Sequence, residues 1–397
     1  MKITHLLLAL AAGTLLQAED FSIEKCESVK NWRTVRPVGK SAKTPTVRFV
    51  SAEKALEFRF PSITARRFGT VPLDPAWKLD KKFTGLVFKV KGDGSDDWGT
   101  ITVSGGPMKE NSFYFPVKNT EWKEYRVPFA AMAPAGDHTL NFSSLEAGEI
   151  CAVSVGDRWR IREGNEPRRP FSCMIKDIRV TDDEFPTPPR FAPAKLETAV
   201  AAMKSGKTVT ILCVGDSITA GTGLKNRAEE RYGAQLQKIL RKHFNNNEIN
   251  VRVAAVGGAH TSDSLGWLER DLAGETPDVV TMLIGFNNRS GHQSAEMYAK
   301  QLQLWIDRLC AATAGKSAVV LIPTVPGVPR FFSQTDMAEA TRKVAQANGL
   351  AVADIDKWIL SQKPEAYRTQ YLRDSVHPNP AGHVRFAEIL AKVFTGK

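Results

Sequence analysis

The run Val209–Val214 constrains this chain more than any other stretch. It is apolar apart from Thr210 and shows no polar alternation. A strand of that kind is covered on both faces, as in the middle of a parallel sheet. Gly215 ends it, and Asp216, Ser217 and Thr219 follow at once. The abrupt change places Ser217 at the carboxyl end of a central strand, where open α/β sheets bind their ligands. Two readings are open on this stretch alone: Ser217 as a nucleophile, or Asp216 and Ser217 as ordinary helix-capping residues at a strand exit.

The rest of the chain divides around residue 206. From Thr208 onward, strands are expected near 208–214, 251–256, 278–284, 317–323 and 350–354. Helices are expected near 228–244, 262–272, 294–313, 336–347 and 380–394. Strand–helix alternation of this kind gives a three-layer α/β domain with helices on both faces of a parallel sheet. From Phe21 to about Asp183 the pattern is different. Short alternating runs such as Ala55–Phe60, Gly85–Val90, Gly99–Val103, Ser112–Val117, Glu124–Val127 and Met174–Val180 are separated by Gly, Pro, Asn and Asp. Without intervening helical periodicity they predict an antiparallel β-sandwich over 19–183. Residues 184–205 form a Pro-rich connector (Glu184–Pro193) and a short helix, leading into a second domain over 206–397.

The chain of 397 residues is long enough for two cores. Residues 1–18 read as a signal peptide: Lys2, then an apolar stretch from Leu6 to Leu16, then Ala18 before Glu19. That stretch is too short for a bilayer span, so stable membrane insertion is not expected, and a secreted or periplasmic location is. The net charge of +11 comes without a Lys/Arg block or a nucleic-acid motif, which favours an acidic polysaccharide over nucleic acid. Five cysteines leave at least one unpaired. Cys213 and Cys310 lie in apolar contexts; one disulfide among Cys26, Cys151 and Cys173 is compatible with the spacing, which does not choose the pair. No Cys/His cluster has zinc-like spacing, and neither metal nor cofactor is implied.

The ends of the expected strands carry the chemistry. The first gives Gly215-Asp216-Ser217-Ile218-Thr219, the second Gly257-Gly258-Ala259-His260, the third Gly285-Phe286-Asn287-Asn288. Asp374-Ser375-Val376-His377-Pro378 stands before the last helix. These four blocks, in this order, resemble the SGNH (GDSL-type) hydrolase family over roughly the last 190 residues. The resemblance implies a flavodoxin-like three-layer domain and a serine esterase. Ser217 would be the nucleophile, His377 its base and Asp374 the acid that orients His377. The oxyanion hole would comprise the backbone N–H of Ser217, that of Gly258 (or Gly257) and the amide of Asn287. Asn288 stands where the family often has Asp, and the Asn that commonly opens the second block is absent; altered loop support is the expected result. His260 and Phe286 are candidates for lining the pocket. His383 reads as a packed or capping histidine, Asp216 as structural, and Asp354 and Asp356 as fallback acids.

The N-terminal segments resemble galactose-binding-like jelly rolls found as carbohydrate-binding modules. The likeness rests on GLVFKVKGDG (Gly85–Gly94), Trp122-Lys123-Glu124-Tyr125 and the closing KDIRV strand (Lys176–Val180). Trp32, Trp77, Trp98, Trp122 and Trp159 fall in this region, either as sugar-stacking platforms or as core and rim packing. Asp93, Asp96 and Asp97 form either a calcium loop or a solvated turn. The combined expectation is an exported two-domain esterase that removes O-acetyl groups from a polysaccharide or oligosaccharide. The alternatives are a lipase, phospholipase or thioesterase of the same chemistry, and a catalytically silent glycan-binding protein.

Overall fold

The computed structural model describes residues 19–35, 45–61, 66–70, 79–105, 110–135, 146–157, 170–328 and 334–396. The leader-like segment, Trp77 and Trp159 lie outside them.

The N-terminal region is all β. Its strands are β1 (Asp20–Glu24), β2 (Trp32–Val35), β3 (Thr46–Val50), β4 (Ala55–Phe60), β5 (Arg66–Thr70), β6 (Gly85–Gly92), β7 (Trp98–Ser104), β8 (Glu110–Pro116), β9 (Lys123–Pro128), β10 (Ala133–Ala135), β11 (Ala152–Asp157) and β12 (Phe171–Thr181). One antiparallel sheet runs β3-β4-β12-β6-β9, with β1 on β12; the other runs β10-β8-β7-β11-β5-β2. Alternate residues fill the space between the sheets: Leu56, Phe58 and Phe60, Leu86, Phe88 and Val90 from the first, Ile101 and Val103, Val153 and Val155 from the second. Period-two alternation produces this because successive side chains point to opposite faces. Trp32 is in that core, edge-on to Phe58. Trp122 is held elsewhere, its indole N–H on Glu53 at 2.8 Å and its ring 3.9 Å beneath the Lys176 ammonium.

Residues 184–195 have no regular secondary structure. The connector is tied down where Ala194 N donates to Ser317 O at 3.0 Å. The C-terminal region then runs α1 (Leu196–Lys204), β13 (Val209–Gly215), α2 (Ser217–Ala220), α3 (Arg227–Glu230), α4 (Tyr232–Phe244), β14 (Ile249–Ala255), α5 (Thr261–Leu272), β15 (Val279–Leu283), α6 (Phe286–Ser290), α7 (Ala295–Ala312), β16 (Ala318–Ile322), α8 (Thr335–Ala347), β17 (Ala351–Val352), α9 (Ile355–Leu360), α10 (Pro364–Tyr371) and α11 (Pro380–Thr395). The sheet is parallel, in the order β14-β13-β15-β16-β17. Within β13, Ile211 and Cys213 enter the core on the α1/α4/α11 side, and Leu212 and Val214 the core on the α5/α7/α8 side. Both faces are therefore covered, which is why the strand shows no polar alternation. The order is that of a flavodoxin-like sheet, whose direction of winding reverses beside the first strand. Ser217 leaves the sheet at that reversal.

All five cysteines are unpaired, Cys151 exposed and the other four buried. The Asp93–Asp97 turn does not assemble an oxygen cage. Asp93 accepts from Ser95 N at 3.0 Å and from Ser172 N at 2.7 Å, and Asp96 pairs with Lys118 at 2.9 Å. No described helix is long and apolar enough to cross a membrane.

Candidate active site

Three strand ends and one loop build the site. After β13, Asp216 caps the single turn of α2, its Oδ1 accepting from Ile218 N at 2.9 Å. Ser217 is the first residue of that turn, so its own N–H has no helical partner. After β14, Val256–Ala259 make a turn closed by Ala259 N donating to Val256 O at 3.1 Å. Gly258 has φ +76° while Gly257 does not have positive φ, the pattern of a type II turn, whose third position favours glycine. A side chain at Gly257 would begin 3.7 Å from Ser217 Cβ, so this turn lies directly beside the serine. Among the described residues no protein acceptor takes the N–H of Ser217, Gly257 or Gly258.

The loop before α11 supplies the histidine. His377 Nε2 is 3.0 Å from Ser217 Oγ, and its Nδ1 is 2.9 Å from Asp374 Oδ2. Asp374 Oδ1 also accepts from the N–H groups of Val376 and His377, each at 2.8 Å. A three-residue separation thus folds into an Asx-type turn that ties Asp374 and His377 together. Partial burial opposes ionisation of Asp374. The backbone donors of His377 and Val376, with the His377 side chain, outweigh it and hold the carboxyl below its ordinary range. The loop is anchored from two sides: Val328 N donates to Ser375 O at 2.7 Å, and Asn379 caps α11 by accepting from Gly382 N at 2.9 Å. Phe286 is half-buried; a side chain at Gly327 would meet its ring at 3.2 Å and Ser375 O at 3.0 Å, so the ring lies beside this loop.

Asn287 reaches the same place from α6. Its Nδ2 donates to Ala259 O at 3.1 Å and to Asp216 Oδ2 at 3.3 Å. Both N–H bonds are therefore engaged within the protein, the one to Asp216 at the looser distance. Asp216 is buried, and that burial pushes its carboxyl up to about 6 against the pull of Ile218 N–H, His377 and His260. A direct link between Asp216 and Asn287 is absent from the reading of the sequence, although the two blocks that contain them stand on neighbouring strands.

The neighbours have structural tasks. His260 is 8% exposed and begins α5: its N–H donates to Asp263 Oδ2 at 2.9 Å and its Nδ1 is 3.6 Å from the same oxygen. Asn288, fully buried, accepts from Thr261 N at 3.2 Å and donates to Gln293 Oε1 at 2.5 Å, joining α5 to the α6–α7 segment. His383 is buried in α11 with Nδ1 accepting from Tyr232 N at 3.2 Å. Asp354 and Asp356 are both taken by Arg342, at 2.7 and 2.6 Å, and neither serves His377.

Residues 213–385 match the model of the GDSL-like lipase/acylhydrolase family. The C-terminal domain belongs to that family. The chain is similar to an acetylxylan esterase of Xylanibacter ruminicola, with 24% identity over 210 residues, 46% of this chain and 42% of the relative. The chain thus spans less than half the length of that curated relative. Among solved structures, a two-domain esterase active on acetylated mannans is 20% identical (TM-score 0.42), covering 51% of this chain and 52% of that one. The acetylxylan esterase Axe2 of Geobacillus stearothermophilus is also 20% identical (TM-score 0.39), covering 49% of this chain and 95% of its own.

Proposed function

We propose that the protein is an exported serine esterase that removes O-acetyl groups from a polysaccharide. The observation that carries this reading is the continuous line from Asp374 through His377 to Ser217 Oγ, closed at 2.9 and 3.0 Å beside three N–H groups that have no acceptor among the described residues. The name of the similar acetylxylan esterase favours an acetylated polysaccharide as the substrate class.

In the first half-reaction His377 Nε2 takes the Ser217 proton as Oγ bonds to the acetyl carbon. The developing oxyanion is held by the N–H groups of Ser217 and Gly258, and by Asn287, which exchanges its long bond to Asp216 for the substrate oxygen. Collapse breaks the ester C–O bond, and His377 returns the proton to the departing sugar hydroxyl. Water, deprotonated by His377, then attacks the acetyl-serine; acetate leaves and Ser217 regains its proton. Asp374 keeps the Nδ1–H tautomer and stabilises the imidazolium.

Acetate release from acetylated xylan, mannan and pectin tests the reading. Ser217→Ala should abolish it by about a millionfold, with labelling by a fluorophosphonate lost in parallel. Preference for acyl chains of about eight carbons or more would instead indicate a lipase or thioesterase. Absence of both labelling and ester turnover in the wild type would leave a glycan-binding protein.

A further inference from the structure

The second sheet of the sandwich does not end in solvent. Its β8 and β10 pack on α5, the helix that follows the Gly257–Gly258 turn. Tyr114 of β8, Trp267 of α5, and Val256 and Ala259 at the two ends of that turn form one buried cluster, with Trp98 of β7 packed against it. The rings of Tyr114 and Trp267 meet edge to face at 6.2 Å. Gly266, in the middle of α5, marks how close the approach is. A Cβ there would fall 2.4 Å from Tyr114 Cε2 and 3.1 Å from Ala133 Cβ, so the Tyr114 ring occupies the space of a side chain. Glycine inside a helix is unfavourable by roughly 1 kcal/mol relative to alanine; close packing between the two regions is what requires it here.

A second contact fixes the same seam. Arg308 of α7 donates from Nη2 to Ala130 O at 2.7 Å and to Met132 O at 3.5 Å. Burial lowers its guanidinium to about 10, and these carbonyls of the sandwich accept from it.

We propose that Tyr114 and Trp267 are positioning residues for the hydrolase reaction. The sandwich, through them, holds the Val256–Ala259 turn, and so sets the N–H of Gly258 and the Ala259 carbonyl that orients Asn287. This rests on the esterase reading above. The coupling is short and packed throughout: Tyr114 belongs to the cluster that includes Val256 and Ala259, and Ala259 O accepts from Asn287 at 3.1 Å. Two of the three oxyanion donors therefore depend on a turn buttressed by the other region. Small displacements at such donors have large effects, because the hydrogen bonds must meet the oxygen where its charge develops.

The test compares full-length wild type with Tyr114→Phe, Tyr114→Leu and Gly266→Ala, well below their melting temperatures. Hydrolysis of 4-nitrophenyl acetate gives kcat and KM, and hydrogen–deuterium exchange is followed in the peptide 254–263. Tyr114→Phe keeps the ring and should lie much nearer to wild type than Tyr114→Leu in both kcat and exchange. Tyr114→Leu and Gly266→Ala should lower kcat roughly 10- to 100-fold with little change in KM. They should also speed exchange in that peptide while β16 stays protected. A fall in melting temperature with unchanged kcat, or unchanged exchange in 254–263, would overturn the proposal; should one variant fail to fold, the other two decide. If the wild type hydrolyses no ester, the function reading fails by itself, and the exchange measurement still shows whether the sandwich holds the turn.

Discussion

On the outer face of the first sandwich sheet, Arg126 meets Asp183, Asp20 and Glu124 at 2.5–3.3 Å, and Arg179 meets Asp20 and Glu124, all partly open to water. In the GDSL domain Asp216, Asn288 and His383 are sealed from solvent, and each is held by protein groups. The two regions need polar residues for different reasons. An antiparallel sheet with one wet face can spread charges along it, where solvent screens them. A parallel sheet covered on both faces leaves only strand ends and loops for polar groups. There they are buried together, and their protonation becomes a matter of stability and chemistry.

Four measurements would break or sharpen that contrast. The largest effect should come from His383, which burial lowers to about 3. Its folded pKa lies below the unfolded value of about 6.5, so the folded state binds fewer protons between the two. The stability it contributes is intact above about pH 6.5 and is lost as pH falls toward 3, by an amount on the order of 4 kcal/mol. Denaturant midpoints measured from pH 7 to 4 should fall steeply in the wild type and less in His383→Gln, whose amide oxygen can still accept from Tyr232. Equal slopes would mean that this histidine is not the acid-sensitive group.

Asn287→Ala comes next: kcat should drop about 10²–10³-fold, or 2.7–4 kcal/mol, with the circular dichroism spectrum unchanged and only a modest loss of stability from the Ala259 and Asp216 acceptors left unpaired. Asp216 is the opposite case to His383, its folded pKa raised to about 6 by burial. The folded state then holds a proton that the unfolded chain has lost. Stability should fall as pH rises from about 4 to about 6, and Asp216→Asn should remove that slope. The variant should gain roughly 1–3 kcal/mol at pH 7 while turning over more slowly, since Asn287 loses its anionic partner. A pH-independent difference between the two proteins would reject this. Smallest of all, Arg126→Ala on the wet face should change stability by less than about 1 kcal/mol, and added salt should shrink the difference further. A larger loss would show that this network is not screened as its exposure implies.

Much of this architecture is legible in the residues. The change from two-residue to helical periodicity near residue 206 marks two architectures, and three of the four blocks can be gathered because a parallel sheet brings neighbouring carboxyl ends to one edge; the fourth, Asp374–His377, stands in the loop before α11 and is joined to them by the family resemblance. The short helices α2 and α6 are hidden, since one turn carries no periodicity. The Tyr114–Gly266 contact is hidden for another reason. Alternation along β7 and β8 assigns Thr100, Thr102, Ser112 and Tyr114 to the face away from the sandwich core, and all four are buried there. A polar second face reads as solvent-facing whatever covers it. The remaining hint, a glycine inside the helical pattern of 262–272, acquires meaning only when its neighbour across the seam is known.

That seam bears on how such a protein can be cut and recombined. The proline-rich connector looks like a natural place to sever the chain and graft the β-sandwich onto another catalyst. Separation there would uncover Tyr114, Ala133 and Trp267 together, an aromatic and aliphatic patch of the kind that drives aggregation. The excised catalytic half would also be left with a helix carrying a glycine for which it no longer has a use.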